Sequence, residues 1–158
     1  MTSQYFTYDK GKVLQALRFH FISRREIKVM IIMVNIFAII SAIFFYKKMI
    51  SPIAFLVSSF LWITMMVVFW YLLPRMIYRK NDTFKDHFKA SFDNDDFTIE
   101  NERGQRTWAW KELSTWLETP HFFHLYFNPR SFFIIPKEAF PGDEVFTARH
   151  ILMDKVKK

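Results

Sequence analysis

Two stretches of the chain, Val29 to Tyr46 and Ile53 to Leu73, carry no Asp, Glu, Lys, Arg or His. As helices each is about long enough to cross the roughly 30 Å hydrocarbon core of a bilayer. A helix apolar on every face has no side to offer to water, so these runs do not read as surface helices of a soluble domain. Lys47, Lys48, Met49, Ile50, Ser51 and Pro52 alone connect them. So short a link forces antiparallel neighbours, and Pro52 suits the first turn of a helix. The pattern therefore predicts a transmembrane hairpin over 29–46 and 53–73. Asn35, Ser41, Ser58, Ser59 and Thr64 are its polar side chains. Asn35, Ser58 and Ser59 are expected at helix–helix contacts, within the hairpin or against a second copy.

Outside the hairpin the period changes. Gln4 to Tyr8 alternates as a short strand does, Asp9 can cap a helix, and Val13, Leu14, Leu17 and Phe21 follow at helical spacing with basic residues between them. That amphipathic helix could lie on an anionic leaflet or pack on the rest of the protein. Gly11 weakens its first turn. From Asp86 onward, six strand-length runs rich in aromatic and β-branched residues are predicted: His87 to Phe92, Phe97 to Glu102, Gln105 to Trp110, Leu113 to Glu118, Phe122 to Asn128 and Ser131 to Ile135. Turn residues separate them, among them Asp93, Asn94 and Asp95, then Arg103 and Gly104, and finally Asn128, Pro129 and Arg130. The expectation is an antiparallel meander closed by a C-terminal helix. That helix would carry Val145, Phe146, Arg149, Leu152, Met153 and Val156 along one side and Lys155, Lys157 and Lys158 at its end. The fold class is thus an α+β membrane protein with a PH-like sheet. Its organisation is an N-terminal strand and amphipathic helix (1–28), the hairpin (29–80) and a cytoplasmic module (81–158).

A formal charge of +7 raises nucleic acid as a partner, but its distribution argues otherwise. Residues 1–81 hold 11 basic and 2 acidic side chains, whereas residues 82–158 hold 11 basic and 13 acidic. Basicity belongs to the membrane flanks. Arg18, Arg24, Arg25 and Lys28 precede the first span, Arg75, Arg79, Lys80 and Lys85 follow the second, and the turn between them has only Lys47 and Lys48. By the positive-inside rule both termini face the cytoplasm, with Tyr46, Trp70, Tyr71 and Tyr78 near the interfaces. The first apolar run lacks a small-residue cleavage site and reads as an anchor, not a signal peptide. Absence of cysteine removes thiolate chemistry and cysteine-ligated metals.

Candidate chemistry is sparse. His121 and His124 are three apart, a spacing that shares a face in a helix but not in a strand. Asp93, Asp95 and Asp96 lack the glycine and the later glutamate of a calcium loop and read as a hairpin turn. Lys89, Arg103 and Arg106 could form a weak anion site, although the acidic first link repels phosphate. Ser91, Ser114 and Ser131 have no nucleophile motif around them, and three glycines cannot build a phosphate loop. Trp108, Trp110, Trp116, Phe123, Leu125 and Phe127 are expected to form mostly core, with an exposed groove for a peptide or acyl chain as the alternative. No cofactor and no metal is expected.

The order of two apolar helices, then Phe97-Thr98-Ile99, Trp110-Lys111-Glu112-Leu113 with Trp116 and Glu118, Phe123-His124-Leu125-Tyr126, and Phe133-Ile134-Ile135-Pro136-Lys137 with Phe140, resembles the YcxB-like bacterial membrane proteins. The resemblance implies an inner-membrane protein with a cytoplasmic PH-like domain; it implies no reaction. The reading that follows is a membrane-anchored, non-enzymatic interaction or regulatory module, partnered by the bilayer and by a membrane protein or further copies of itself. The alternative is a lipid- or acyl-chain-handling protein or enzyme, for which His87, His121 and His124 are the first residues to replace.

Overall fold

The structure, a computed structural model, describes residues 1–156. Lys157 and Lys158, expected at the end of the last helix, lie outside the described residues. The chain divides into two compact units, residues 1–16 with 82–158 and residues 17–81.

In the first unit, β1 (Phe88–Phe92), β2 (Asp96–Asn101) and β3 (Gly104–Ala109) form one antiparallel sheet, and β4 (Thr115–Glu118), β5 (Phe122–Asn128) and β6 (Ser131–Pro136) form a second. All six predicted strands are present, but not as one meander. The break falls at Trp110, which alternation assigns to β3. It lies instead in a 3₁₀ turn, Trp110–Glu112, where its indole donates to the Asp93 carbonyl (3.0 Å) and the Glu112 carboxylate accepts from the Ala109 amide (3.0 Å). Leu113 is buried beyond this turn and outside β4. Opposite pairing of Asn101 with Gly104 leaves Glu102 and Arg103 as a two-residue turn, and Gly104 sits at φ +145°, a conformation open to glycine.

Period-two alternation sends Phe88, Ala90, Phe92, Phe97 and Ile99 inward from the first sheet, all buried. Trp116, Phe123, Leu125 and Ile135 do the same from the second. Phe140 joins the two sets, its ring centroid 5.6 Å from Phe92 and 6.4 Å from Phe123. A register shift between Tyr126 and Asn128 turns Phe127 out of the ladder, and its ring lies 5.4 Å from Trp108 and 6.2 Å from Phe97.

The N-terminal segment runs antiparallel beside β1. It makes isolated bridges, Thr2 with Ser91 and Phe6 with Phe88, instead of the continuous strand expected over Gln4 to Tyr8. The Ser3 amide donates to the Ala90 carbonyl (2.7 Å) while the Ser3 hydroxyl accepts from the Ala90 amide (2.9 Å). The Gln4 amide turns away to the Ala139 carbonyl (2.8 Å), which is why no ladder forms. The segment still covers an edge that would otherwise present unpaired amides. At its end the buried Tyr8 hydroxyl donates to the Ile134 carbonyl of β6 (2.7 Å), and burial pushes its pKa well up. Tyr8→Phe leaves that carbonyl buried without its donor and is expected to cost about 1–2 kcal/mol. The measurement is the urea midpoint of the full chain in detergent, and an unchanged midpoint would refute this tie.

α1 (Lys10–Ser23) begins where predicted. The Asp9 carboxylate accepts from the Lys12 amide (2.8 Å), and a Cβ at position 11 would stand 3.2 Å from that carboxylate oxygen, so Gly11 gives the cap its room. Val13 and Ala16 are buried, as protein packing requires and a lipid-surface helix would not show. At the other end of the chain, α5 (Glu144–Lys155) buries Ala148 and Leu152, with Val156 buried just beyond. Phe146 is 55% exposed and Met153 59%, so the buried face is rotated from the expected one. The reason is the 3.6-residue period: 148, 152 and 156 are in line, and 146 lies far round the helix from them.

The second unit contains α2 (Arg25–Tyr46) and α3 (Pro52–Val67), the latter continuing through a π turn (Val68–Leu72) into α4 (Leu73–Lys80). The Ser51 hydroxyl caps α3 by accepting from the Ala54 amide (3.2 Å), and Pro52 follows in the first turn. The second apolar helix thus extends to Lys80, past the predicted Leu73. Pro74 has no amide to offer the Trp70 carbonyl, the register slips to a π turn, and the Arg18 guanidinium donates to that carbonyl instead (3.0 Å).

Candidate functional site

The surface of the hairpin is its first distinctive feature. α2 and α3 contain no buried residue, and Ile32, Ile36, Ile39, Leu56, Phe60 and Ile63 point outward among many others of their kind. Both helices, Arg25–Tyr46 and the continuous Pro52–Lys80, have the length and apolar composition of a membrane span. Partly covered positions recur at three- and four-residue steps, 27, 31, 34, 38 and 41 on α2 and 55, 58, 62 and 65 on α3, with 69 following in the π turn. That spacing is the seam of two antiparallel helices.

The seam holds two of the polar residues singled out above. Ser58 shares a hydrogen bond with Ser41 across the helices (2.6 Å) and also donates to the Phe55 carbonyl (2.8 Å). Asn35 donates to the Ile31 carbonyl (2.8 Å) and accepts from the Trp62 indole (3.4 Å). Ser59 is half-covered beside them. Phe45 and Phe55 stack at 4.4 Å next to the turn. Beside this seam the helices leave an apolar groove of about 620 Å³ between Met30, Met33 and Phe37 on one side and Trp62 and Met65 on the other, with Glu26 at its rim.

The charged residues lie at the ends of the spans. Arg24 is half-buried at the start of α2, Arg25 and Lys28 are exposed in its first turn, and Arg75, Arg79 and Lys80 are exposed on α4. Arg75 also rests on the Tyr71 ring at 3.6 Å.

In the other unit the charges converge on one carboxylate. Glu118 accepts from the Arg149 guanidinium in two bonds (2.9 and 2.7 Å) and from the Lys137 ammonium (2.6 Å). The bidentate Arg149 bonds, aided by Lys137, hold its pKa down to about 2 against the opposing effect of partial burial. Lys137 also sits over the Phe123 ring and Arg149 over the Phe146 ring, 5.5 and 5.1 Å from the centroids. This clasp ties β4, the 3₁₀ turn that follows β6 (Lys137–Ala139) and α5 together. Arg149 went unrecognised in the sequence because it lies among apolar residues on the expected stripe and 31 residues from its partner.

The remaining candidates are dispersed. His124 is buried in β5 within 3.3 Å of the Thr119 hydroxyl, His121 is half-buried just before that strand, and His87 lines a polar cleft with Lys85, Asp86 and Arg103. Among the described residues no three His, Asp or Glu side chains group as metal ligands. Asp93 and Asp96 close the first hairpin turn through their backbones (2.9 Å). Arg103 pairs with Asp86 (3.4 Å), Arg106 lies over Trp108 and Lys89 over Tyr5, so the proposed anion-site cations face three different ways. Trp110 and Trp116 are buried and Trp108 is half-buried against Phe97, which leaves them as core.

Together these features define a class: an α+β module of two three-stranded antiparallel sheets, in one chain with two helices apolar enough to span a membrane. Residues 92–152 match the family model of the YcxB-like protein, and it is this part of the chain that is similar to that family. The match runs from the last residue of β1 into α5 and contains the whole Glu118 clasp; both apolar helices lie outside it. Nothing matches among curated proteins or among solved structures.

Proposed function

We propose that the protein is a multi-pass protein of the bacterial cytoplasmic membrane that holds its YcxB-like domain in the cytoplasm as a non-enzymatic interaction or regulatory module. The observation that carries this reading is the pairing of a hairpin whose outer surface is apolar all round with basic residues gathered at the end that bears both termini. Two three-stranded meanders with α5 tied to β4 support a PH-like arrangement in which α5 covers the open end between the sheets. Tethering to a surface raises the effective concentration toward other membrane-bound molecules, so a partner protein in the membrane or a second copy is the natural ligand.

Because the chain has no cysteine, a single introduced thiol reports its own position. A membrane-impermeant maleimide should label Lys48→Cys in intact cells and Asp154→Cys only after lysis. Reversed labelling overturns the orientation, and release of the chain by alkaline carbonate overturns the anchor. Crosslinking in the membrane that returns only monomeric chain sinks the interaction role. The acyl-handling alternative draws on the groove beside Met30 and Trp62.

A further inference from the structure

We propose that the groove between α2 and α3 is a binding site for one zwitterionic phospholipid with a primary ammonium headgroup, drawn from the leaflet that the basic flanks face. The inference rests on the hairpin being embedded in a bilayer and deepens the acyl-handling alternative. Along α2 the groove runs from Glu26 to Phe37. Eleven residues at 1.5 Å rise cover about 16 Å, roughly half the hydrocarbon thickness of a bilayer. That is the reach of one acyl chain from headgroup level to the midplane. The wall suits such a chain: Met30, Met33 and Met65 are unbranched and adaptable, and the Trp62 indole is already bonded to Asn35, so no polar hydrogen is aimed into the groove by it.

The rim selects the headgroup. Glu26 is the sole acid between Asp9 and Asp82, it is exposed in the first turn of α2, and among the described residues no ion pair engages it. Arg24, Arg25 and Lys28 stand next to it in sequence. Of the residues lining the groove Glu26 alone is charged, so its carboxylate complements the ammonium of a headgroup whose phosphate stays in the layer of these sequence-neighbouring cations. A primary ammonium can donate hydrogen bonds to Glu26, whereas a trimethylated one offers charge alone and a glycerol headgroup offers no cation. The basic residues alone would favour an anionic lipid, so it is the acid that makes the prediction specific.

The test uses the full chain in vesicles of phosphatidylethanolamine and phosphatidylglycerol, with a spin label near the end of the acyl chain of one lipid at a time, and phosphatidylcholine as a third probe. The labelled ethanolamine lipid is expected to enter the motionally restricted population about threefold more readily than the glycerol lipid, the size of one solvated charge pair. Glu26→Gln should remove the preference, and Val34→Trp, which fills the groove wall, should shrink the restricted population itself. Equal partition of all three lipids by an inserted chain overturns the proposal, as does a preference that survives Glu26→Gln. Dimer crosslinks through Met33→Cys that exclude the labelled lipid assign the groove to a second copy and overturn it as well. A chain that fails to enter the vesicles, tested by carbonate extraction of the same sample, defeats the membrane reading beneath it.

Discussion

Phe140→Ala is expected to destabilise the module by about 3–5 kcal/mol, the range for deleting a fully packed phenylalanine. Phe140 is 2% exposed and lies between a ring of the first sheet, Phe92, and one of the second, Phe123. It stands outside every strand, while Phe92 and Phe123 are held in separate ladders, so neither sheet can easily close over the cavity its removal leaves between them. The full chain in detergent would show this as a fall in the urea midpoint of about 2 M, given a slope near 2 kcal/mol per molar. Emission from Trp110 and Trp116, both buried in the module, is the readout. A shift under a quarter of that size would show that the sheets do not share the core assigned to them.

The second large effect belongs to Glu118→Ala. It leaves Arg149 and Lys137 facing one another without their shared carboxylate, and removal of one partner from a partly buried network costs about 2–3 kcal/mol. The pH dependence identifies the cause. Glu118 has its folded pKa lowered to about 2 from an ordinary 4.5. Its stabilisation is therefore complete above about pH 5 and is lost as the pH falls from 4.5 towards 2. Glu118→Gln should flatten that part of the stability profile and leave the neutral-pH loss smaller than for Ala, because the amide still accepts one bond. An unaltered acid slope in the Gln variant would exclude Glu118 as the titrating group. Arg149→Ala should cost less than Glu118→Ala, since Lys137 keeps the carboxylate paired.

Strand existence was legible wherever turn chemistry bounded an aromatic run: β5 begins and ends where predicted, with the Asn128 side chain accepting from the amides of Arg130 and Ser131 (both 2.9 Å). The division into two sheets was not legible. Trp110 satisfies the alternation of β3, and only the presence of the Asp93 carbonyl, 17 residues away in the chain, draws it into a turn. The face of α5 was ambiguous for a related reason. Apolar side chains span a wide arc of that helix, and the choice of Ala148 over Phe146 reflects the small clearance a closely packed helix allows. Of the candidate site residues, Asn35 and Ser58 could be picked out because polar groups in an apolar helix need partners; that the partners are Trp62 and Ser41 depends on the crossing of the two helices.

The amino-acid sequence by itself determined the two apolar helices, their antiparallel return and the charge asymmetry at their ends, because solvent preference and backbone period are properties of consecutive residues. Tertiary structure alone decided that residues 1–8 cover the edge of β1, that Glu118, Lys137 and Arg149 meet, and that Glu26 stands over an apolar groove. Each of those joins groups distant in the chain or depends on the space left between packed side chains. A period of two or 3.6 fixes which way a residue points, and only packing fixes what it finds there.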